Sequence, residues 1–431
     1  MVGEKSTGGI EKLKQAKPGY KLVSDFFRRE FEIPNDWEYP KFNEVVKTNP
    51  ITKMDEELVP YIPMDSVDTS KSNFNYFEER NFSDFKSLPK FQENDVLFAS
   101  ITPSTENGKT CIVENFDRKG IGSSELTVLR STDKVIPKYL YYYMKSHRIR
   151  QFAISQMMGT TGRQRVPDYV FKKDLHFELP SVQEQQKIAS ILSNVDELIS
   201  SYDDTIQATK KVKQGLMQQL LTKGIGHKKF KKVKWLFGKE IEIPEEWNLE
   251  QLGNFSNVTM GMSPPSESYN ENKEGLPFFQ GVTDFGENYP TTTMWCSDPK
   301  KTAEKNHILF SVRAPVGETN ISVEKCCLGR GVCSIDSLEN ELMYCYFLIS
   351  FFKKQFAVYA QGTTYDAINR NEITKTKLPF TSDKKEQQKI ASILSNVDDK
   401  ITELESKKKS LESLKKGLMQ KLLTGQIRVK T

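Results

Sequence analysis

The sequence predicts an α+β protein built twice over: two similar mixed α/β globular domains separated by two long antiparallel helices of coiled-coil character, the whole forming a pseudo-two-fold internal repeat. Three observations support this. The thirteen residues Glu184 to Asp196 (EQQKIASILSNVD) return unchanged as Glu386 to Asp398, 202 positions later. At the same spacing Gly215-Leu216-Met217-Gln218 returns as Gly417-Leu418-Met419-Gln420, so the repeated element outlasts its identical core. A looser echo precedes each copy, where Tyr20, Val23, Phe27, Glu30, Ile33, Pro34 and Trp37 match Phe230, Val233, Phe237, Glu240, Ile243, Pro244 and Trp247. Lead-in, globular segment and long helix thus occur twice.

Taken in order, residues 1–180 are expected to hold a lead-in and the first domain, 181–224 the first long helix, 225–383 a linker and the second domain, and 384–425 the second long helix. Inside the globular segments the likeness fades to landmarks. Asn94 to Ser100 corresponds to Asn306 to Val312, each a buried strand leading into a turn with Pro103 or Pro315. Gly159-Thr160-Thr161 answers Gly362-Thr363-Thr364. Short β-branched runs punctuated by Gly, Pro, Asn and Asp point to mixed strands with a few helices, as over Pro137 to Ala153 and Leu342 to Ala360.

The long helices follow from periodicity. Ile188, Ile191, Leu192, Val195, Leu198, Ile199 and Tyr202 step by three and four, and Val212, Leu216 and Leu220 extend the stripe. Ile390, Ile393, Leu394, Val397, Ile401 and Leu404 repeat it, extended by Leu411, Leu414, Leu418 and Leu422. Pro180 and Pro379 stand upstream, and Gly224 and Gly425 fall where a C-terminal cap belongs. About forty residues at ~1.5 Å each make roughly 60 Å, a length that needs a partner, and the other copy is the obvious one. Ile188, Leu192, Val195, Ile390, Leu394 and Val397 are therefore expected in a helix–helix seam.

Composition excludes several classes. With 431 residues, 37% of them hydrophobic and 11% aromatic, the chain is neither disordered nor too short for two full cores. The net charge of +5 is mild but uneven, since seven lysines and no acid lie between Lys223 and Lys239. That run is either a phosphate-facing track or a solvated linker. Cys111, Cys296, Cys326, Cys327, Cys333 and Cys345 include no CxxC pair, so no metal site is expected and the thiols read as buried in a reducing compartment. The apolar run from Tyr344 to Phe352 is far too short to span a membrane, and the N-terminus lacks a signal-peptide core, so a cytoplasmic protein is expected.

Catalytic constellations are missing. Gly108-Lys109-Thr110 imitates the end of a phosphate-binding loop, but Pro103 stands where its first glycine must fall. Ser263-Pro264-Pro265-Ser266 lacks the aromatic that would stack on a flipped base. The four histidines, His147, His176, His227 and His307, occupy no matching positions, which rules out a duplicated histidine-based site.

Two divergent segments, each followed by a near-identical helix that opens on Leu-Pro and then Glu-Gln-Gln-Lys-Ile-Ala-Ser-Ile-Leu-Ser, resemble the specificity subunit of type I restriction-modification enzymes. The likeness spans almost the whole chain, through Glu242-Ile243-Pro244 before Trp247, Ile308 to Gly317 (ILFSVRAPVG), Gly362-Thr363-Thr364 and Leu378-Pro379 before Glu386. The first half departs where Ile101-Thr102-Pro103 stands against Arg313-Ala314-Pro315. The resemblance implies two target-recognition domains that bind a bipartite site on double-stranded DNA, while the helical regions hold two methyltransferase subunits. Restriction subunits would join through the assembled complex. S-adenosylmethionine, ATP and magnesium would belong to those partners, leaving this chain without cofactor, metal or catalytic role. A freestanding DNA-binding or regulatory protein of the same fold, and a catalytic restriction enzyme, are the competing readings.

Arginine can bridge guanine O6 and N7, and Asn or Gln adenine N6 and N7. Polar and basic residues in turns after strands are thus the expected readers: Lys109, Arg163, Gln164 and Arg165 in the first domain, and Arg313, Arg330 and Arg370 in the second. Gln185, Lys187, Gln387 and Lys389 are expected to point outward from the helices as the contact surface for the methyltransferase.

Overall fold

The structure, a computed structural model, describes residues 16–25, 29–160, 162–235, 240–360 and 367–429. Phe27, Thr161, Phe237, Gly362, Thr363 and Thr364, used above in comparing the halves, lie outside the described residues. The chain divides into two compact units, Met1–Ser201 with Lys408–Thr431, and Tyr202–Lys407. The division cuts both long helices, so each unit holds the start of one and the end of the other.

Unit 1 begins with a hairpin, β1 (Tyr20–Ser24) and β2 (Glu30–Pro34), in which Tyr20 faces Pro34. A short helix, α1 (Phe42–Val45), leads into β3 (Val46–Thr48), and then come β4 (Leu58–Ile62), β5 (Glu78–Asn81), β6 (Lys90–Phe91), β7 (Val96–Ala99), β8 (Thr110–Ile112), β9 (Gly120–Gly122) and β10 (Leu126–Ser131). They form two sheets, ordered β3-β10-β7-β8 and β5-β4-β9-β6, with β4 and β9 parallel. β7 is a continuous apolar run because both its faces are covered and both its neighbours are paired. Helices α2 (Pro137–Lys145) and α3 (His147–Ser155) pack behind, followed by the long helix α4 (Val182–Lys223).

Unit 2 repeats this. The hairpin β11 (Phe230–Lys234) and β12 (Glu240–Pro244) sets Phe230 against Pro244. Then follow β13 (Asn248–Gln251), α5 (Leu252–Phe255), β14 (Asn257–Met260), β15 (Tyr269–Asn270), β16 (Leu276–Phe279), β17 (Trp295–Cys296), β18 (Thr302–Ala303), β19 (Ile308–Ser311), β20 (Thr319–Ile321), β21 (Cys326–Leu328) and β22 (Val332–Asp336). The order β14-β22-β19-β20 copies the first sheet of unit 1, and β15-β17-β16-β21-β18 contains the same parallel pair, now β16 with β21. Helices α6 (Leu342–Phe351), α7 (Lys353–Ala360) and α8 (Arg370–Lys375), strand β23 (Lys377–Phe380) and the long helix α9 (Lys384–Leu422) complete it. Asn94 and Asn306, both in the left-handed region at φ 69° and 66°, turn the chain into the equivalent strands β7 and β19.

The long helices run antiparallel, and the same ion pair is made twice. In unit 1 Lys415, near the end of α9, pairs with Asp196 near the start of α4. In unit 2 Lys213 pairs with Asp398, their counterparts 202 positions away, and Lys210 meets Glu405 at 2.6 Å.

The expected seam is partly corrected. Ile188, Leu192, Ile390 and Leu394 are fully buried, but inside the domain cores: Ile188 and Leu192 with Trp37, Tyr139, Leu422 and Leu423, and Ile390 and Leu394 with Trp247, Tyr344, Leu220 and Leu221. Val195 and Val397 are only half-buried. Leu198, Ile393, Val212 and Leu414, counted above in the apolar stripe, are exposed. A straight helix drifts about 20° per heptad, so a stripe that starts on a globular core does not stay on one seam for forty residues.

Burial pushes the Cys111 and Cys345 thiols up to about 12, and Cys111, Cys296, Cys326, Cys327, Cys333 and Cys345 are all buried and unpaired. Among the described residues no helix is long and apolar enough to cross a membrane.

Candidate nucleic-acid interface

At one edge of each domain the same backbone frame recurs. In unit 1 the amide of Ser123 donates to Ile62 at the end of β4 (2.9 Å), Ser100 donates to Glu125 (2.9 Å) and Val166 donates to Ser100 (2.9 Å). In unit 2 the corresponding bonds run from Gly329 to Phe279 (2.8 Å), Val312 to Gly331 (2.9 Å) and Ile368 to Val312 (2.9 Å). Both frames carry a cis proline, at Thr102-Pro103 and Ala314-Pro315. One residue beyond Ser100 and Val312 lies an isolated bridge, Ile101 to Arg165 in unit 1 and Arg313 to Ala367 in unit 2. Each unit thus sets an arginine in the same bridge, but on opposite partners.

Those arginines have different surroundings. In unit 1 Arg163 and Arg165 are exposed and Gln164 is half-buried. Their loop is pinned to the proline turn, since Gln164 N donates to Thr102 Oγ1 and Thr102 N donates to Gln164 O, both at 3.0 Å. Arg165 donates to the carbonyl of Ser124 at 2.8 Å. Lys109 does not stand with them. Its ammonium donates to Met64 O at 3.0 Å, and it lines a separate depression of about 470 Å³ with Asp65 and Asp68, whose carboxylates oppose a phosphate there.

In unit 2 the structure brings two expected readers together. Arg313 and Arg330 line one cleft of about 550 Å³, together with Gln280 and Thr283. Arg330 Nε donates to Ser263 Oγ at 2.9 Å. Arg370 is outside this cleft, as the exposed first residue of α8, where Asn369 and Glu372 form a reciprocal cap at 3.1 and 2.8 Å. Gln280 was invisible in the sequence because a lone Gln-Gly after an apolar strand has no distinctive spacing.

The outward direction expected for Gln185 and Gln387 is wrong, for both are fully buried. Gln185 accepts from the amide of Ile136 (2.8 Å) and donates to the carbonyls of Lys134 (2.9 Å) and Pro180 (3.0 Å). Gln387 likewise accepts from Glu341 N (3.0 Å) and donates to Thr381 O (2.7 Å). Each satisfies orphan groups at the start of α2 or α6 and so ties a long helix to its own domain. Lys187 and Lys389 do face outward.

A second duplicated feature escaped the sequence. The buried Glu184 carboxylate accepts the Trp37 indole N–H (3.0 Å) and the Arg428 guanidinium (2.8 and 3.0 Å), and Arg428 also grips Asp36 (2.8 and 2.6 Å). The hydrogen bond to Arg428 holds the Asp36 carboxyl below its ordinary range. In unit 2 Glu386 accepts the Trp247 indole (2.9 Å), the Ile225 amide (3.0 Å) and Thr381 Oγ1 (2.9 Å), while His227 sits between Glu386 (2.8 Å) and Glu246 (3.1 Å). Each latch follows a helix-ending glycine, Gly425 (φ +70°) or Gly224 (φ +64°), where a Cβ would come within 2.4 Å of Pro34 or of the Glu386 carboxylate.

Duplicated frame and antiparallel long helices define a class of two-domain α+β protein built as an internal repeat. The family model for the type I restriction modification DNA specificity domain matches residues 34–210 and 244–413, and the chain belongs to that family. It is 34% identical over 414 residues to the putative type I restriction enzyme MjaX specificity subunit of Methanocaldococcus jannaschii, covering 93% of this chain and 96% of the relative. To the EcoAI specificity subunit of Escherichia coli it is 29% identical over 215 residues, which are 49% of this chain and 36% of that one. Its fold matches a chain of a type I restriction-modification system solved in a study of complex assembly and conformational transition (TM-score 0.63, 23% identity, 92% and 100% coverage). It also matches the S subunit of a Mycoplasma genitalium system (TM-score 0.56, 16% identity, 93% and 99% coverage).

Proposed function

We propose that this chain is the DNA specificity subunit of a type I restriction-modification complex and reads a bipartite, asymmetric site on double-stranded DNA, one half through each unit. The observation that carries this is the shared frame with differently placed side chains: one backbone bridge joins Ile101 to Arg165 in unit 1 and Arg313 to Ala367 in unit 2, so the arginine stands on opposite partners. Identical frames suit one kind of ligand, and different side chains on them suit different base sequences. The outward faces of α4 and α9 hold the methyltransferase subunits, and restriction subunits join through the assembled complex. Methyl transfer and cleavage, with S-adenosylmethionine, ATP and magnesium, are the partners' chemistry, and this chain contributes no catalytic residue. Buried unpaired thiols suit a reducing cytoplasm.

The test is to exchange residues 40–180 for the same segment of another family member and to map methylated bases in cells carrying the complex. One half of the target is expected to change while the other half and the spacer stay. A simultaneous change in both halves would overturn the proposal.

A further inference from the structure

We infer that Gln280 is a specificity-determining residue of unit 2 that reads an adenine beside a base contacted by Arg330; this rests on the DNA-recognition reading above. Gln280 follows β16 at the wall of the 550 Å³ cleft, and its side chain is exposed, with no hydrogen-bond partner among the described residues. Its backbone, by contrast, is held from every side. The carboxylate of Asp284 accepts from the amides of Gln280 (2.6 Å) and Gly281 (3.2 Å). A Cβ on Gly331 would lie 2.2 Å from the Gln280 carbonyl oxygen, and one on Gly329 would lie 3.0 Å from its Cα, so two glycines let the neighbouring strand turn press against it. A long side chain on an immobile backbone loses less freedom on binding than one on a loop that must itself be ordered.

The local charge fits a nucleic acid. Asp284 turns its carboxylate inward onto the two amides, and the residues lining the cleft include Arg313 and Arg330 but no acid. With its Nε on Ser263, Arg330 keeps the terminal fork of its guanidinium for an end-on approach to guanine O6 and N7. The Gln280 amide offers the complementary pair, a donor for adenine N7 and an acceptor for the N6 amino group. The corresponding position in unit 1, next after Ile62, is Pro63, whose side chain can make neither bond. Unit 1 therefore lacks this reader.

The full chain, assembled with its methyltransferase subunits, is challenged with a random duplex library, and wild type is compared with Gln280→Ala and Gln280→Glu at one salt concentration. Both variants are expected to lose adenine preference at one position of one half-site, by roughly 5- to 150-fold, with the other half-site unchanged. For Gln280→Ala, binding to non-cognate duplex should not move, and for both variants neither should the melting temperature, because the side chain is exposed. An unchanged motif overturns the assignment, as does a uniform weakening by Gln280→Ala across all sequences, which is the mark of a phosphate contact; both leave the DNA-recognition reading in place. A wild-type complex with no sequence preference would overturn both.

Discussion

Arg428 and His227 perform the same task with different chemistry. Each bridges a buried helix glutamate and an acid one residue before a tryptophan, Asp36 or Glu246. Replacing Glu386 by Ala removes the acceptor of the buried Trp247 indole and of Thr381 Oγ1, and a buried donor left unmade costs about 1–3 kcal/mol. Glu386→Ala should lower the denaturation midpoint accordingly, with the first new protease cuts falling inside 202–407. His227→Arg should be tolerated far better than His227→Ala, because Arg428 shows the cation that fits the equivalent place. Little of this was legible. The sequence marks Glu184 and Glu386 as repeated, but their partners lie 147 or more positions from Glu184 and 139 or more from Glu386 along the chain, apart from Thr381, and no local spacing links them. The sequence sets His227 aside because no histidine stands at the matching position, which Arg428 fills instead.

The elements were legible where the signal is periodic or stereochemical. The long helices run from Val182 to Lys223 and from Lys384 to Leu422, close to the limits set by Pro180, Gly224, Pro379 and Gly425. Strands β7 and β19 lie where their apolar runs place them. What periodicity cannot say is which way a polar residue faces once a helix is packed on a domain. Gln185 and Gln387 look like surface residues and are buried because backbone groups of α2 and α6 need them. Conversely Val212 and Leu414, which occupy equivalent places in the repeat, are exposed at 57% and 52%. A matched pair of exposed apolar side chains suits two copies of one partner. Val212→Asp with Leu414→Asp should change the unfolding free energy by no more than about 0.5 kcal/mol per substitution, as surface changes do, yet reduce methyltransferase assembly measured by light scattering. Full assembly by the double variant would move the docking surface elsewhere on the helices.

For the whole molecule, the division of the chain matters more than the order of its domains. Unit 2 is continuous, whereas unit 1 needs Leu422, Leu423 and Arg428 for its core and its latch. Removing residues 408–431 strips two buried leucines from unit 1, where even truncation to alanine costs about 2–5 kcal/mol per side chain. That deletion should make 29–201 protease-sensitive and leave 202–407 resistant, as mass spectrometry of limited digests would record. The same arrangement bears on synthesis at the ribosome. Although translation reaches Trp37 long before Trp247, the pieces that close around Trp247 are all made by residue 407, while those that close around Trp37 include Arg428. The half of the protein begun first is the half completed last, and until then its tyrosine-rich core is a surface that nascent-chain chaperones would have to cover.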